Sequence, residues 1–281
     1  MMERSLSLLS EGEAGVHEPV IARPASTVIV LRSGPSGGIE TFMVHRDPLS
    51  RFAADAFVFP GGTVDVGDWA SGGVPPCTGL TIAEAHRRLG ERGGDVPDDA
   101  GLSLALYVAA VRELYEEAGI MLARPLAGPF GAHLSAETCA QLATLRPALQ
   151  HGERTLSNVA EHLILDLVPE ELVYFSHWIT PEASPRRYDT RFFVVEDRLG
   201  QTASHCGIET VDGQWFAPAD ALRRAEAGEI TLVAVTVEHL RVLAQHTTVA
   251  SALAFARQKP IRTVLARRDR QRWDLGSGLT W

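Results

Sequence analysis

The stretch Arg112-Glu113-Leu114-Tyr115-Glu116-Glu117-Ala118-Gly119-Ile120 decides how this chain is read. Leading into it, Leu104, Tyr107, Val108, Val111, Leu114, Tyr115 and Ala118 recur at spacings of three and four, the period of a helix with a buried face, and Gly119 supplies the stop. At about 100° per residue, Glu116 and Glu117 fall roughly 60° and 40° to either side of Glu113, so the three carboxylates share one face. Like charges at this spacing destabilise a helix by a few tenths of a kcal/mol per pair, and a cation offsets them. Mg²⁺, which takes oxygen ligands and bridges carboxylates to phosphate groups, is the natural candidate. Arg112 stands one turn before Glu116, within reach of that carboxylate. Taken alone, the glutamates also fit the plain reading of a solvated helix face.

Outward from this helix the chain alternates strand-like and helical patterns. Thr27–Leu31 and Thr41–His45 are β-rich runs flanking Ser33-Gly34-Pro35-Ser36-Gly37-Gly38, which reads as a hairpin. Ala56–Phe59 leads into Pro60-Gly61-Gly62 and a Gly- and Pro-rich loop. Thr81 and Glu84 form a capping-box pattern for a short helix ending near Gly90, Gly93 or Gly94, and Asp98 and Asp99 are candidate caps for the next. Ser135–Gln150 and Leu156–Asp166 read as helices, Val173–Thr180 and Thr190–Val195 as strands, and Trp215-Phe216 as a last short strand. Pro218–Ala227 reads as a helix with proline in its first turn, followed by a helical stretch from Thr236 to about Gln258. The pattern predicts an α/β sandwich with helical insertions. Residues 1–24 read as a flexible lead-in, 25–260 as the domain, and 261–281 as an Arg-rich tail without a predicted element.

Composition narrows the function classes. With 45% hydrophobic and 22% charged residues in 281, the chain is ordinary globular protein. Its net charge of −9 disfavours a general attraction to nucleic acid or anionic lipid. The longest apolar stretches, 103–111 and 172–179, fall short of the roughly 20 residues of a membrane span, and Leu6–Leu9 is too short for a signal peptide core. Cys77, Cys139 and Cys206 are odd in number and widely spaced, suggesting neither a disulfide framework nor a zinc site. The expected compartment is the cytoplasm. His45, His177 and His205 show no ligand spacing, and Phe57, Tyr174, Trp178 and Phe192 read as core before stacking platform. Apolar helices late in the chain leave a homodimer open.

From Arg112 to Ile120 the chain resembles, at every specified position, the second half of the Nudix box, Gly-x5-Glu-x7-Arg-Glu-U-x-Glu-Glu-x-Gly-U with U aliphatic. The first half is upstream: Phe59-Pro60-Gly61-Gly62 resembles the usual entry, and Gly62 is followed after five residues by Asp68 in place of the glutamate, with Asp65 at another commonly acidic position. Between Asp68 and Arg112 lie 43 residues instead of seven, an insertion of 36, placed at about 69–104. This insertion, with the phrases Val173–Pro181 and Arg187–Phe193, resembles the Nudix subgroup that includes the peroxisomal coenzyme A diphosphatases of animals. Two departures stand out: Leu232-Val233-Ala234-Val235-Thr236 has no proline where the subgroup has Pro-Thr, and Leu279-Thr280-Trp281 is not a Ser-Lys-Leu address.

The resemblance implies a Nudix-type α/β/α sandwich with a mixed sheet, helical insertions and C-terminal helices. It implies a Mg²⁺- or Mn²⁺-dependent diphosphatase acting on a nucleoside diphosphate linked to another group. Coenzyme A or acyl-CoA is the candidate substrate; ADP-ribose, NADH or a dinucleotide, or binding without hydrolysis, are the alternatives. The implied metal ligands are Gly61 through its carbonyl, Glu113, Glu116, Glu117 and the loop residue Glu209, which stands six residues before Trp215. The implied catalytic residues are Arg112, Glu113 and Glu209, with Glu196 next in line for the loop role. Arg46 and Arg191, flanking predicted strands near the box, are the candidate phosphate donors.

Overall fold

The run Arg23–Ser33 forms the longest strand, β1, and the sheet is laid out around it. This computed structural model describes residues 20–35, 37–50, 53–69, 77–129, 132–197, 201–207, 210–265, 267–269 and 272–274. The other strands are β2 (Ile39–Arg46), β3 (Phe57–Val58), β4 (Gly61–Thr63), β5 (Ala123–Pro125), β6 (Leu165–Leu167), β7 (Val173–Ile179), β8 (Tyr188–Glu196), β9 (Thr210–Phe216), β10 (Thr263–Leu265) and, as an antiparallel pair of their own in the expected tail, β11 (Arg267–Asp269) and β12 (Arg272–Asp274). β1 runs parallel to β8 from Arg23↔Tyr188 to Leu31↔Glu196, and antiparallel to β4 at its start and to β2 at its end. β2 also pairs with β3 and β9, while β7 joins β8 to β10, completing a mixed eight-stranded sheet. β5 and β6 form a separate ribbon.

Helices cover both faces, and strand alternation assigns residues to each. Val28 and Val30 of β1 pack with Tyr107, Leu114 and Phe193 beneath α1 (Ile82–Gly90), α2 (Ala100–Ala118), α3 (Ala136–Gln150) and α4 (Leu156–His162). Ile29 and Leu31 pack with Phe175, Val194, Leu240 and Leu253 beneath α5 (Pro218–Glu226), α6 (Ala234–Leu243) and α7 (Val249–Gln258). Each such side chain, fully buried, contributes about 1.5–3 kcal/mol. The expected sandwich is the observed one, and the predicted hairpin is β1–β2. Among the described residues no helix is long and apolar enough to cross a membrane.

Several boundaries differ from the sequence reading. β1 begins at Arg23, inside the expected lead-in, because Arg23 and Pro24 already pair with Tyr188 and Asp189. The predicted helix Leu156–Asp166 ends at His162; Ile164 then takes φ 55°, and 165–167 pair with β5 instead. The predicted stretch Thr236 to Gln258 is two helices, since Thr248 restarts the chain by capping α7 through the Ser251 amide at 3.1 Å. Trp215-Phe216 is the end of a seven-residue strand, and Thr263–Leu265 of the expected tail pairs with β7.

The insertion supplies α1 and the start of α2, and it clasps the far side of the sheet. Arg92 donates to the carbonyls of Tyr174, Ala256 and Lys259, and its own carbonyl accepts from the Ile261 amide at 2.9 Å. Asp95 is bonded by Thr263, whose hydroxyl also meets His177 Nδ1 at 2.8 Å; His177 Nε2 in turn meets Asp189.

Candidate functional site

Helix α2 brings the acidic run to the rim of the sheet. Asp99 caps it, accepting from the Gly101 amide at 2.8 Å, and Gly119 ends it with φ 70° and its amide on the Tyr115 carbonyl. Its last turn is fixed from α3, where Arg146 Nε and Gln150 Nε2 both donate to the Glu116 carbonyl, at 3.0 and 2.5 Å. Between these ends α2 is covered on nearly all sides, with Ala105, Ala109 and Ala110 as buried as its leucines. Glu113 is 9% and Glu117 4% exposed, which rules out a solvated acidic face.

Arg112 organises these carboxylates. Its Nε and Nη2 grip Asp68 Oδ1 and Oδ2 at 2.9 and 3.0 Å; Nη1 reaches Glu113 at 2.8 Å and Glu116 at 3.3 Å; and Nη2 also donates to the Thr63 carbonyl at 2.8 Å. Asp68 sits on a 3₁₀ turn, Val66–Asp68, capped by Asp65, and accepts from the Asp65 amide at 2.8 Å. That turn brings its backbone close enough for the shorter side chain to do a glutamate's reaching. Burial pushes the Glu113 carboxyl up to about 7; Arg112 opposes this, while Glu116 and Asp68 add to it. Burial also disfavours the Arg112 charge, but Glu113, Asp68 and Glu116 outweigh it and raise its pKa.

The Pro60-Gly61-Gly62 turn lies against this wall. The Gly61 amide donates to Glu117 Oε2 at 2.9 Å. A Cβ on Gly62 would overlap the Glu113 carboxylate, and one on Gly61 would stand 2.5 Å from the Ser26 carbonyl oxygen, so the approach needs both glycines. Arg46 ends β2 just past a register shift between His45 and Arg46, and its Nη1 lies 3.6 Å from Glu117 Oε1. Asp68, Glu113, Glu116 and Glu117 thus stand against the guanidinium groups of Arg46 and Arg112, with carboxylate oxygens gathered at one end of the cleft. Oxygen donors alone suit Mg²⁺ or Mn²⁺, so the residues fit such an ion. Among the described residues, no three Asp, Glu, His or Cys side chains form a ready-made ligand group.

The sequence profile of the NUDT19 Nudix domain matches residues 20–243. The chain belongs to this Nudix family. Its relatives include the acyl-coenzyme A diphosphatase NUDT19 of Homo sapiens, 28% identical over 269 residues, with 86% of this chain and 69% of that protein covered. The protein of the same name from Gallus gallus is 30% identical over 226 residues, covering 69% of this chain and 58% of its own length. The chain therefore spans somewhat over half to about two thirds of these relatives. The solved NUDIX hydrolase of Alicyclobacillus acidocaldarius has a TM-score of 0.59 at 28% identity, covering 83% of this chain and 96% of that one.

In this Nudix domain the box residues face a cleft of about 710 Å³, large enough for a nucleotide. Gly61, Arg46, Arg112, Glu113, Glu116 and Glu117 all line it. Arg191 does not: it is 3% exposed, and Nη1 pairs with Asp189 at 2.5 Å, while its strand neighbours Thr190 and Phe192 point to the cleft. Period-2 alternation of β8 puts Arg191 on the other face, a parity that proximity in sequence does not reveal. Glu196 ends β8 and lines a separate depression with Glu84, Arg87 and Arg88. Glu209 lies outside the described residues. Trp178 and Phe192, read as core, are buried and also form cleft wall with Phe59, Val233 and Val235. The sequence reading missed Gln150, Val233 and Thr236 at the cleft; the helix periods of α3 and α6 carry no signal for it.

Proposed function

We propose that this Nudix domain hydrolyses the diphosphate of a nucleoside diphosphate linked to a second group, with coenzyme A or an acyl-CoA as the substrate. The observation that carries the reading is the desolvated carboxylate wall, clamped by Arg112 and opening on a nucleotide-sized cleft. The coenzyme A part is supported by the NUDT19 relatives, which are named acyl-coenzyme A diphosphatases, and by the apolar wall of Phe59, Trp178, Phe192, Val233 and Val235, which suits an alkyl or thioester arm.

Glu113, Glu116, Glu117 and the Gly61 carbonyl are the proposed holders of Mg²⁺ or Mn²⁺, with Glu209 added from its loop. When bound, such an ion polarises phosphoryl oxygens and acidifies a water. Arg112 positions Glu113 and Glu116 through its two-sided grip, and Asp68 holds Arg112. Arg46, 3.6 Å from Glu117, is placed to donate to a substrate phosphate oxygen. Glu113 or Glu209 takes the proton of the attacking water. Arg191 has no part in this reading. Cys77, Cys139 and Cys206 form no disulfide among the described residues, which fits a reducing compartment such as the cytoplasm.

The test is incubation with Mg²⁺ or Mn²⁺ and coenzyme A, acetyl-CoA, NADH, ADP-ribose or dinucleoside polyphosphates, with products identified by mass spectrometry. Release of 3′,5′-ADP and 4′-phosphopantetheine from coenzyme A is the expected result. Cleavage of another substrate alone keeps the chemistry and discards coenzyme A; no cleavage of any overturns the hydrolase.

A further inference from the structure

We infer that the N-terminus of α6, together with the Thr236 hydroxyl, is a second phosphate-binding wall of the cleft, holding diphosphate oxygens that face away from the carboxylates. The inference rests on the proposed function, in which the cleft receives a diphosphate. The Phe57 amide donates to the Thr231 carbonyl at 2.9 Å and Phe57 bridges Leu232 in parallel, so residues 231–233 run beside 57–59 and α6 begins next to the Pro60-Gly61-Gly62 turn. The Phe59 ring lies 6.1 Å from the His239 ring of α6, while Gly61 on the same turn bonds Glu117 of α2. The turn is thus flanked by α2 on one side and α6 on the other.

Val233 has the extended backbone of a cap, φ −80° and ψ 153°, but its side chain cannot accept a hydrogen bond, and no side chain caps the helix. Among the described residues the amides of Ala234, Val235 and Thr236 have no acceptor, and all three residues line the cleft with Val233. Thr236 adds an independent observation. It is 2% exposed, lines the cleft, and its hydroxyl makes no hydrogen bond among the described residues, not even to the carbonyl one turn back that helical threonines commonly use. The hydroxyl of a buried threonine that lines the cleft, beside three amides without acceptors at the positive end of a helix, selects an anionic oxygen. Among the described residues the acidic ones lining the cleft, Asp65, Glu113, Glu116 and Glu117, all belong to the α2 side and its adjoining turn, and none stands on the α6 wall.

Two variants test this. Val233→Asn places a neutral capping oxygen on the same amides, and Thr236→Val removes the hydroxyl at constant shape. Methylenediphosphonate, which is not hydrolysed, is titrated calorimetrically into the full chain in Mg²⁺, with Mg²⁺ binding measured separately as the control. Val233→Asn should raise Tm yet weaken the diphosphonate about tenfold, and Thr236→Val should weaken it several-fold, with Mg²⁺ affinity unchanged in both. Opposite movement of stability and affinity is what a merely structural cap would not give. Wild-type affinity in both variants, loss of affinity only in step with falling Tm, or no binding to the wild type would each overturn the inference. The two readings fail separately: hydrolysis that persists with insensitive variants removes the α6 wall alone, whereas sensitive binding without hydrolysis of any substrate removes the diphosphatase alone.

Discussion

Gly62 has no room for a side chain, because the added carbon would occupy the place of the Glu113 carboxylate that Arg112 holds. Gly62→Ala should therefore displace Glu113 and cut metal-dependent turnover at least about tenfold with little change in Tm. Gly61→Ala meets the β1 backbone at Ser26 and Thr27, and should lower stability by about 1–3 kcal/mol in a denaturant titration. Glu116→Gln removes one negative charge from the wall while keeping its shape. Turnover should fall about 100-fold or more, with Tm in Mg²⁺-free buffer unchanged or slightly higher as repulsion with Glu113 is relieved. Activity comparable to the wild type would end the assignment of the α2 face. At this scale the sequence was highly legible: the spacing of Glu113, Glu116 and Glu117 is enough to set their common face. Arg191 was not legible, since which side of β8 it takes depends on how β8 is buried.

At the scale of elements, the insertion between Asp68 and Arg112 separates two residues that nonetheless meet at 2.9 Å. Its cost to the box is small because α1 packs Ala85 and Leu89 into the core, while Arg92 and Asp95, just beyond α1, anchor the rest of the insertion to β7, β10 and the end of α7. The insertion thus works as a clasp. The β5–β6 ribbon shows the reverse case, where tertiary pairing overrides a helical pattern. Ile164, 66% exposed at φ 55°, makes the turn into β6 in a conformation that β-branched residues disfavour. Ile164→Asn, which tolerates that region, should stabilise the protein by about 1 kcal/mol, read as an increased denaturant midpoint at constant m. An unchanged or lower midpoint would show that the isoleucine side chain contributes more than its backbone costs.

The whole molecule joins its layers partly through polar groups buried where no local pattern marks them. His239 of α6 is enclosed by Phe59, Phe175, Trp178 and Phe192, and its Nε2 meets Ser176 Oγ at 2.6 Å. Burial, with the charge of Lys259 adding, pushes it down to about 3. The unfolded chain, with histidine near its ordinary 6.5, binds the proton first. The contribution is therefore complete above about pH 6.5 and is lost as pH falls toward 3, by about 1.4 kcal/mol per unit. Between pH 7 and 5 the wild type should lose about 2 kcal/mol on this account, and His239→Gln should flatten that part of the profile whatever its starting stability. The late helices bury Leu240, Leu243, Leu253 and Ala256 on the sheet, so their apolar faces supply no argument for a second copy of the chain.

By itself, the sequence determined the α/β class, the acidic face of α2, the glycine turn that meets it and the family resemblance. These depend on periods of 2 and 3.6 and on short spacings, which act over a few residues wherever the chain goes. The tertiary structure alone decided that the acidic face is desolvated, that Asp68 reaches Arg112 across the insertion, that Arg191 is turned away, and that α6 opens on the cleft. Each of these depends on which surfaces meet, and burial and charge are set by neighbours distant in sequence.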